Sequence, residues 1–253
     1  MPLRLVTIPV SHYAEKARWA LDRAGWAYTE DGHLPVAHVP AVLRAGGKRM
    51  VPVLATPHGA VCDSTEILRF VDRGLAAEAR LFPVDAALGA EVERWEERFD
   101  AELGPATRRW AYAHLLPARA VTIGIMRLNG PALERALAAA AYPLVAAVIR
   151  RNYGVDEVRA ARSLDRVRAL FAEVSAKLAD GRRFLVGDRF TAADLTFAAL
   201  ATPVVWPAEH ARFLGGVEAL PAAMRAVIDE LRATPAGAYA LRLYAEERAR
   251  KVG

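Results

Sequence analysis

The sequence predicts an α/β domain at the N-terminal end of the chain, followed by an all-helical domain. Segments with strand character end at residues 60–62, and the later segments space their apolar residues as helices do. Between the two parts, residues 75–83 (LAAEARLFP) show neither pattern and are typical of a linker. We therefore expect an α/β domain over residues 1–78 and a helical domain over residues 86–253.

The first domain is predicted from alternation and from helix caps. Residues 3–8 alternate and end before Pro9, and a helical face of Ala17, Ala20, Leu21 and Ala24 follows. The first two strands should be parallel because a helix connects them, whereas the last two should form a hairpin. The expected elements, in order, are a strand at 3–8, a helix at 13–23, a strand at 26–31, a short helix at 39–45, strands at 51–55 and 60–62, and a helix at 64–72.

The second domain is predicted from helical periodicity and one capping motif. Thr191 and Asp194 have the spacing of a capping box, with Phe190 and Leu195 as its hydrophobic staple. The region 118–151 is ambiguous because Gly130-Pro131 and Pro143 interrupt it. The expected helices span residues 87–113, 118–127, 131–151, 156–179, 192–201, 217–233 and 236–250.

Composition and charge argue against a nucleic-acid-binding or metal-binding protein. The chain has 253 residues, is 54% hydrophobic and carries a formal net charge of +5. Its 34 Lys and Arg are spread among 29 Asp and Glu with no basic stripe, so nucleic acid is not an expected partner. The charge mildly favours anionic small molecules. The histidines lack the spacing of a metal-binding motif, so no metal is expected.

The sequence also indicates a cytoplasmic protein without a membrane partner. No apolar run reaches the ~18 residues that a membrane span needs, and the longest, Ala136 to Ile149, is interrupted at Tyr142-Pro143. The N-terminus lacks the pattern of a signal peptide. The single cysteine, Cys62, excludes an internal disulfide and fits a reducing compartment. We expect it to be a small buried apolar residue.

Four segments together resemble the cytosolic glutathione transferase superfamily across nearly the full chain. They are SHYAEKARWAL (11–21), VPVL (51–54), DSTEIL (63–68) and FLVGDRFTAADL (184–195). The resemblance implies a thioredoxin-like N-terminal domain and a helical C-terminal domain. It also implies glutathione as co-substrate and a homodimer. The region from about Ala118 to Arg151 is longer than the minimal family pattern.

The resemblance assigns glutathione contacts to several residues. A cis Val51-Pro52 bond would turn the Val51 backbone toward the cysteinyl backbone of glutathione. Ser64, at a helix start, would hold the γ-glutamyl carboxylate, and such termini favour anions. Asp63 would face the ammonium group, although the family more often has Glu or Gln there.

The glycyl carboxylate of glutathione has less specific candidates. Lys48 or Arg49 could pair with it, and His38 lies in a loop that often approaches the same end. For each of these residues, a solvated surface role is an equally open alternative.

The resemblance places catalysis at the turn between the first strand and the first helix, which we call the reactive turn. It contains Ser11, which aligns with the family's Ser or Cys position. A free thiol has a pKa of about 8.5, so a hydroxyl donor and a helix N-terminus would favour the thiolate. Tyr13 and His12 are alternative donors, and Ser11 could instead only cap the helix. The absence of Cys at position 11 disfavours disulfide reduction through a protein thiol.

The expected activity is conjugation of glutathione thiolate to an electrophilic small molecule, as in detoxification. The acceptor pocket should lie between the domains, with Arg108, Trp110, Tyr112 and Trp206 as candidates. Alternatives are a glutathione-dependent peroxidase, isomerase or dehalogenase, or a non-enzymatic binding or regulatory protein of the same fold.

Overall fold

The computed structural model describes residues 2–252, so Met1 and Gly253, the outer ends of the predicted domains, lie outside the described residues. The chain forms one small sheet and then helices. The elements are β1 Leu3–Thr7, α1 His12–Arg23, β2 Tyr28–Gly32, α2 Val39–Arg44, β3 Val53–Thr56, β4 Gly59–Cys62, α3 Ser64–Asp72, α4 Ala86–Arg98, α5 Gly104–Leu115, α6 Arg119–Leu128, α7 Ala132–Tyr153, α8 Glu157–Lys177, α9 Ala192–Val205, α10 Ala211–Leu214, α11 Ala222–Arg232 and α12 Pro235–Glu247.

The sheet has the strand order β2-β1-β3-β4. β1 and β2 are parallel, and β3 pairs antiparallel with both β1 and β4, which confirms the predicted parallel pair and hairpin. Alternate side chains face opposite layers. Leu5 and Leu54 pack into the main core with α1 and α3, whereas Val6 and Val53 pack against α2.

Helix α9 is the centre of the helical part. All but one of its residues are buried, and it packs against α1, α4, α5, α11 and α12. Asp194 caps it: its carboxylate accepts from the Thr191 N–H at 2.7 Å, the Leu185 N–H at 2.8 Å and the Tyr239 hydroxyl at 2.5 Å. The predicted capping box is therefore confirmed.

The predicted helix 87–113 is wrong as a single helix. It is divided by a π-helical turn, Phe99–Leu103, in which the Gly104 N–H donates to the Phe99 carbonyl. Pro105 follows directly and has no N–H to donate. The wider turn leaves the Asp100 carbonyl without its usual helical donor, and the Tyr13 hydroxyl donates to it instead.

Helix α7 confirms the predicted helix over 131–151 and runs through Pro143, the residue that made this region ambiguous in the sequence. Pro143 has no N–H for the Ala139 carbonyl. Arg119 on α6 supplies a donor to that carbonyl instead, at 3.4 Å. Among the described residues, α7 is the one helix that by length and composition could cross a membrane, and 28% of its most apolar window is buried. Leu133, Leu137 and Leu144 are exposed along it.

The unassigned region 118–151 forms the α6–α7 hairpin. It has a core of its own, built from Ile123, Met126, Tyr142 and Val145, which also takes in Leu34 from the loop before α2. Glu134 holds that loop by accepting from the Leu34 N–H at 2.7 Å. The hairpin thus packs against the β2–α2 loop of the first domain and forms a hydrogen bond with its backbone.

Cys62 is exposed, which contradicts the expectation of a buried position. It is the last residue of β4, an edge strand that has a neighbour on one side only. Strand alternation alone does not reveal which strand lies at the edge.

Candidate active site

The register of the sheet brings three predicted segments to one end. Val6 lies opposite Val53, and Val53 lies opposite Cys62. The end of β1, the start of β3 and the end of β4 therefore meet. The turn to Ser11, the Val51-Pro52 pair and the Asp63-Ser64 pair each adjoin one of these strand ends.

Ser11 is the N-cap of α1. Its Oγ accepts from the Ala14 N–H at 3.4 Å, and its side chain is half-buried. Within residues 2–252 its hydroxyl proton is donated to no acceptor. Because a hydroxyl can accept and donate at once, Ser11 can cap the helix and still donate outward.

Tyr13 is tied to the helical domain. Its hydroxyl donates to the Asp100 carbonyl at 2.9 Å, the group that the π-helical turn leaves free. A Cβ on Gly104 would lie 2.2 Å from the Tyr13 Oη, so the contact requires glycine there. Burial and then the Asp100 carboxylate raise the pKa of Tyr13 above its ordinary value.

His12 is buried beside the same turn. Its Nε2–H donates to the Gly104 carbonyl at 3.0 Å, which assigns the proton to Nε2. Burial, and then the charge of Arg108, lower the pKa of His12 to about 3. The imidazole is therefore neutral at pH 7 and serves as a structural donor.

The Val51-Pro52 peptide bond is cis, as the resemblance implied. Val51 lies just outside the β1–β3 register, which ends at Val6 and Val53. Its backbone N–H and C=O are thus not used by the sheet. An extended peptide could pair with them as an added strand does.

Asp63 and Ser64 open α3. Asp63 adopts a φ of 77°, rare for a residue other than glycine, and its Oδ1 accepts from the Thr65 N–H at 2.8 Å. Ser64 is 1% exposed, and its Oγ has no hydrogen-bond partner within the described part of the chain. A buried hydroxyl without a partner costs free energy, so Ser64 is suited to a ligand at the helix start.

His38 and Lys48 lie beside the segment that leads into Pro52. His38 donates from Nε2 to the Arg49 carbonyl at 3.0 Å, and burial lowers its pKa. Lys48 is exposed. His38 therefore holds the backbone of this segment, and the exposed side chains of Lys48 and Arg49 are both available to an anion. In residues 2–252, no group of three or more His, Cys, Asp or Glu could hold a metal ion.

A buried ionic cluster under α3 is absent from the sequence-based prediction. Lys16 donates to Asp100 at 2.7 Å, to Thr65 at 2.8 Å and to Glu96. Thr65 also donates to Glu96 at 2.7 Å. Lys16 lies outside the apolar face that the sequence predicts for α1 (Ala17, Ala20, Leu21 and Ala24), but most positions of α1 are buried because layers cover the helix on several sides.

The acceptor candidates separate into two groups. Trp110 and Trp206 are 1% and 3% exposed and belong to the main core. Tyr112 stacks on Tyr153 with ring centroids 5.7 Å apart. Arg108 lies over the Tyr153 ring and borders a cleft, so it is the candidate with access to a ligand.

Comparison with known families and structures agrees with this architecture. Residues 5–77 match the family model of the glutathione S-transferase N-terminal domain, and residues 157–227 match that of the C-terminal domain. The unmatched stretch between them contains the α6–α7 hairpin. No curated protein sequence matches the chain.

Solved glutathione transferases share the fold at low identity. One from Methylobacterium radiotolerans, in complex with glutathione sulfonate, is 21% identical with a TM-score of 0.53, covering 95% of both chains. One from Populus trichocarpa is 15% identical with a TM-score of 0.58, covering 95% of this chain and 98% of the other. One from Sinorhizobium meliloti is 18% identical with a TM-score of 0.58, covering 96% and 93%.

These matches confirm the predicted fold class, a thioredoxin-like N-terminal domain followed by an all-helical C-terminal domain. The chain therefore belongs to the cytosolic glutathione transferase superfamily.

Proposed function

We propose that the protein binds glutathione at this end of the sheet and transfers its thiolate to electrophilic small molecules. The observation that carries the proposal is Ser64. Its hydroxyl is buried and unpartnered within the described residues, at the positive end of α3. A carboxylate such as that of the γ-glutamyl group would accept from both the hydroxyl and the helix N–H groups.

The remaining contacts complete one extended ligand. The Val51 backbone pairs with the cysteinyl residue, and Lys48 pairs with the glycyl carboxylate. His38 positions this segment through the Arg49 carbonyl. Asp63 faces the ammonium group with Oδ2, because Oδ1 is held by Thr65. The complex of the Methylobacterium radiotolerans relative with glutathione sulfonate supports this class of ligand.

Ser11 is the proposed donor to the thiolate. Its hydroxyl proton is available, whereas the Tyr13 hydroxyl is committed to the Asp100 carbonyl. Tyr13 then supports catalysis by packing the reactive turn against the helical domain. The thiolate attacks the electrophilic carbon, a C–S bond forms, and the leaving group departs with its electron pair. The thiol proton passes to solvent.

The proposal includes a homodimer in the cytoplasm, in a detoxification role. Membership of the superfamily supports these assignments. Sedimentation equilibrium tests the dimer directly: a mass near twice the 27.5 kDa of the chain is expected, and a monomer at micromolar concentration would contradict it.

Titration calorimetry with glutathione, followed by conjugation of 1-chloro-2,4-dinitrobenzene, tests the proposed function. We expect saturable binding and turnover above the uncatalysed rate. Binding without turnover, on this and other aromatic halides, would indicate a non-enzymatic binding protein. Turnover with hydroperoxides alone would indicate a peroxidase, and the absence of binding would refute glutathione as the ligand.

A further inference from the structure

A cleft of about 370 Å³ opens between the N-terminal end of α5, the end of α7 and the start of α8. Its lining includes Arg108, Arg109, Arg151 and Arg159, together with Asn152 and Tyr153. Among the described residues that line it, none is acidic. We call it the arginine cleft. Such a concentration of positive charge, without carboxylates in the lining, raises the local concentration of anions.

Arg108 is the arginine of the cleft with a buried N–H group that lacks an acceptor among the described residues. Its guanidinium carbon lies 4.1 Å from the centre of the Tyr153 ring and 5.5 Å from that of Tyr13. Its Nε is buried and has no hydrogen-bond partner within residues 2–252. Cation–π contacts offset part of the cost of this placement but provide no acceptor for the N–H groups. An oxyanion in the cleft would provide an acceptor for the terminal guanidinium N–H groups, which are not buried as Nε is.

Two of the other three arginines have partners within the protein, and the third has none among the described residues. Arg109 donates to the Tyr153 carbonyl at 2.9 Å and to the Ser163 hydroxyl at 3.0 Å, so it holds the wall of the cleft. Arg159 lies 3.4 Å from Asp156 in an exposed pair. Arg151 is exposed and forms no ion pair with another described residue. Arg108 and Arg151 are therefore free to bind a ligand.

The cleft is joined to the reactive turn through one short segment. Tyr13 and His12 donate to the carbonyls of Asp100 and Gly104, and Arg108 lies one helical turn beyond Gly104. The Tyr13 ring lies against Arg108 on this side. Tyr13, two residues after Ser11, therefore links this turn to Arg108, which lines the arginine cleft.

We propose that the arginine cleft receives an oxyanion, such as a carboxylate, carried by the electrophilic substrate. This inference rests on the proposed transferase function and names the substrate class of the same site. With an aryl chloride that bears a carboxylate, the glutathione thiolate forms the C–S bond and chloride departs with the electrons of the C–Cl bond. The carboxylate does not react; Arg108 and Arg151 hold it.

The test uses a matched pair of electrophiles, 4-chloro-3,5-dinitrobenzoate and its methyl ester, at saturating glutathione. The two differ in the charge that the cleft would bind. We expect kcat/KM of the wild-type protein to favour the acid over the ester, after correction for the uncatalysed rates. Arg108→Gln and Arg151→Gln should each lower that ratio about tenfold, the equivalent of one lost charge-assisted contact.

Two further variants separate charge from structure. Arg108→Lys keeps the charge and should retain most of the preference for the acid. Arg150→Gln removes an arginine that is exposed, as Arg151 is, but does not line the cleft, and it should leave the ratio unchanged. An equal loss in Arg150→Gln, or a raised KM for glutathione in Arg108→Gln with an unchanged acid-to-ester ratio, would overturn the proposal.

A binding measurement distinguishes failure of the oxyanion site from failure of the proposed transferase function. Calorimetry with the unreactive 4-amino-3,5-dinitrobenzoate, without glutathione, should show binding that Arg108→Gln weakens about tenfold. If neither electrophile turns over but this binding and its loss are observed, the oxyanion site stands and the transferase function fails. If both electrophiles turn over with a ratio that Arg108→Gln does not change, the oxyanion site fails and the transferase function stands.

Discussion

The Lys16 ammonium and the Glu96 carboxylate form an ion pair whose side chains are 0% and 2% exposed, and it joins α1 to α4. Asp100 shares the ammonium at 2.7 Å. The pair lies directly under the start of α3, because Thr65 bonds to both partners. The helix that carries Ser64 is thereby anchored to both the first domain and the helical domain.

Removal of Lys16 should strongly destabilise the fold. Lys16→Met would leave the buried Glu96 carboxylate unpaired, which typically costs about 3–5 kcal/mol of the free energy of unfolding. Urea denaturation measures the loss. Arg69→Met is the matched control, because Arg69 and Glu93 form an exposed α3–α4 pair at 3.0 Å, which should contribute at most about 1 kcal/mol. Equal losses in the two variants would contradict this account.

Asp194 should contribute as strongly to the stability of the helical domain as Lys16 does to that of the fold. Asp194→Ala leaves the Leu185 and Thr191 N–H groups and the Tyr239 hydroxyl without their buried acceptor. We expect a loss of at least about 3 kcal/mol in the free energy of unfolding, since several buried donors lose their partner together. Urea denaturation checks this. Asp85→Ala, which removes the exposed N-cap of α4, should cost only about 1 kcal/mol.

The free energy of unfolding should fall as the pH drops below about 6.5. Burial lowers the pKa of His12 to about 3 and that of His210 to about 4. In this range the unfolded chain binds more protons than the folded one, so the folded state loses stability toward acid. Each histidine should contribute a loss of about 2 kcal/mol between pH 7 and pH 5.

Variants at His12 check this pH dependence. His12→Gln keeps a donor for the Gly104 carbonyl but does not titrate. The slope of unfolding free energy against pH should therefore decrease, and the decrease should correspond to about one proton fewer taken up on unfolding. The exposed His58 is the control, and His58→Gln should leave the slope unchanged. An unchanged slope in His12→Gln would show that the imidazole is not held neutral.

Ser11 and Tyr13 should give different kinetic results. Ser11→Ala should lower kcat about tenfold or more with nearly unchanged glutathione affinity, because it removes a donor to the thiolate. Tyr13→Phe should mainly lower the free energy of unfolding and change kcat little, since the Tyr13 hydroxyl bonds to the Asp100 carbonyl. Steady-state kinetics at saturating glutathione decides. If turnover survives in Ser11→Ala and is abolished in Tyr13→Phe, the assignment is wrong.

Local patterns predicted the parallel β1–β2 pair, the β3–β4 hairpin, the start of α3 at Ser64 and the capping box at Asp194, because each depends on residues close in sequence. The buried charges were missed for the opposite reason. Lys16 is buried because Glu96 and Asp100, far along the chain, cover it. Arg108 was only one candidate among several, and its unpartnered Nε becomes evident only with Tyr13 and Tyr153 around it.

Contacts between residues distant in sequence also explain why the sequence left the helix at Pro143 ambiguous and why Cys62 was expected to be buried. A proline predicts a break in the helix, but it does not reveal that Arg119 replaces the lost donor at the Ala139 carbonyl. Alternation predicts that Cys62 ends a strand, but not that the strand lies at the edge of the sheet.

Glutathione affinity of Ser64→Ala tests the central claim most directly. The Ser64 hydroxyl has no partner in the described residues, so its removal should leave the free energy of unfolding unchanged or higher. Calorimetry should show a Kd for glutathione raised about tenfold, the equivalent of one lost bond to a carboxylate. Ser163→Ala, which removes the partner of Arg109, should show the reverse pattern, with reduced stability and unchanged affinity. An unchanged Kd in Ser64→Ala would contradict the account.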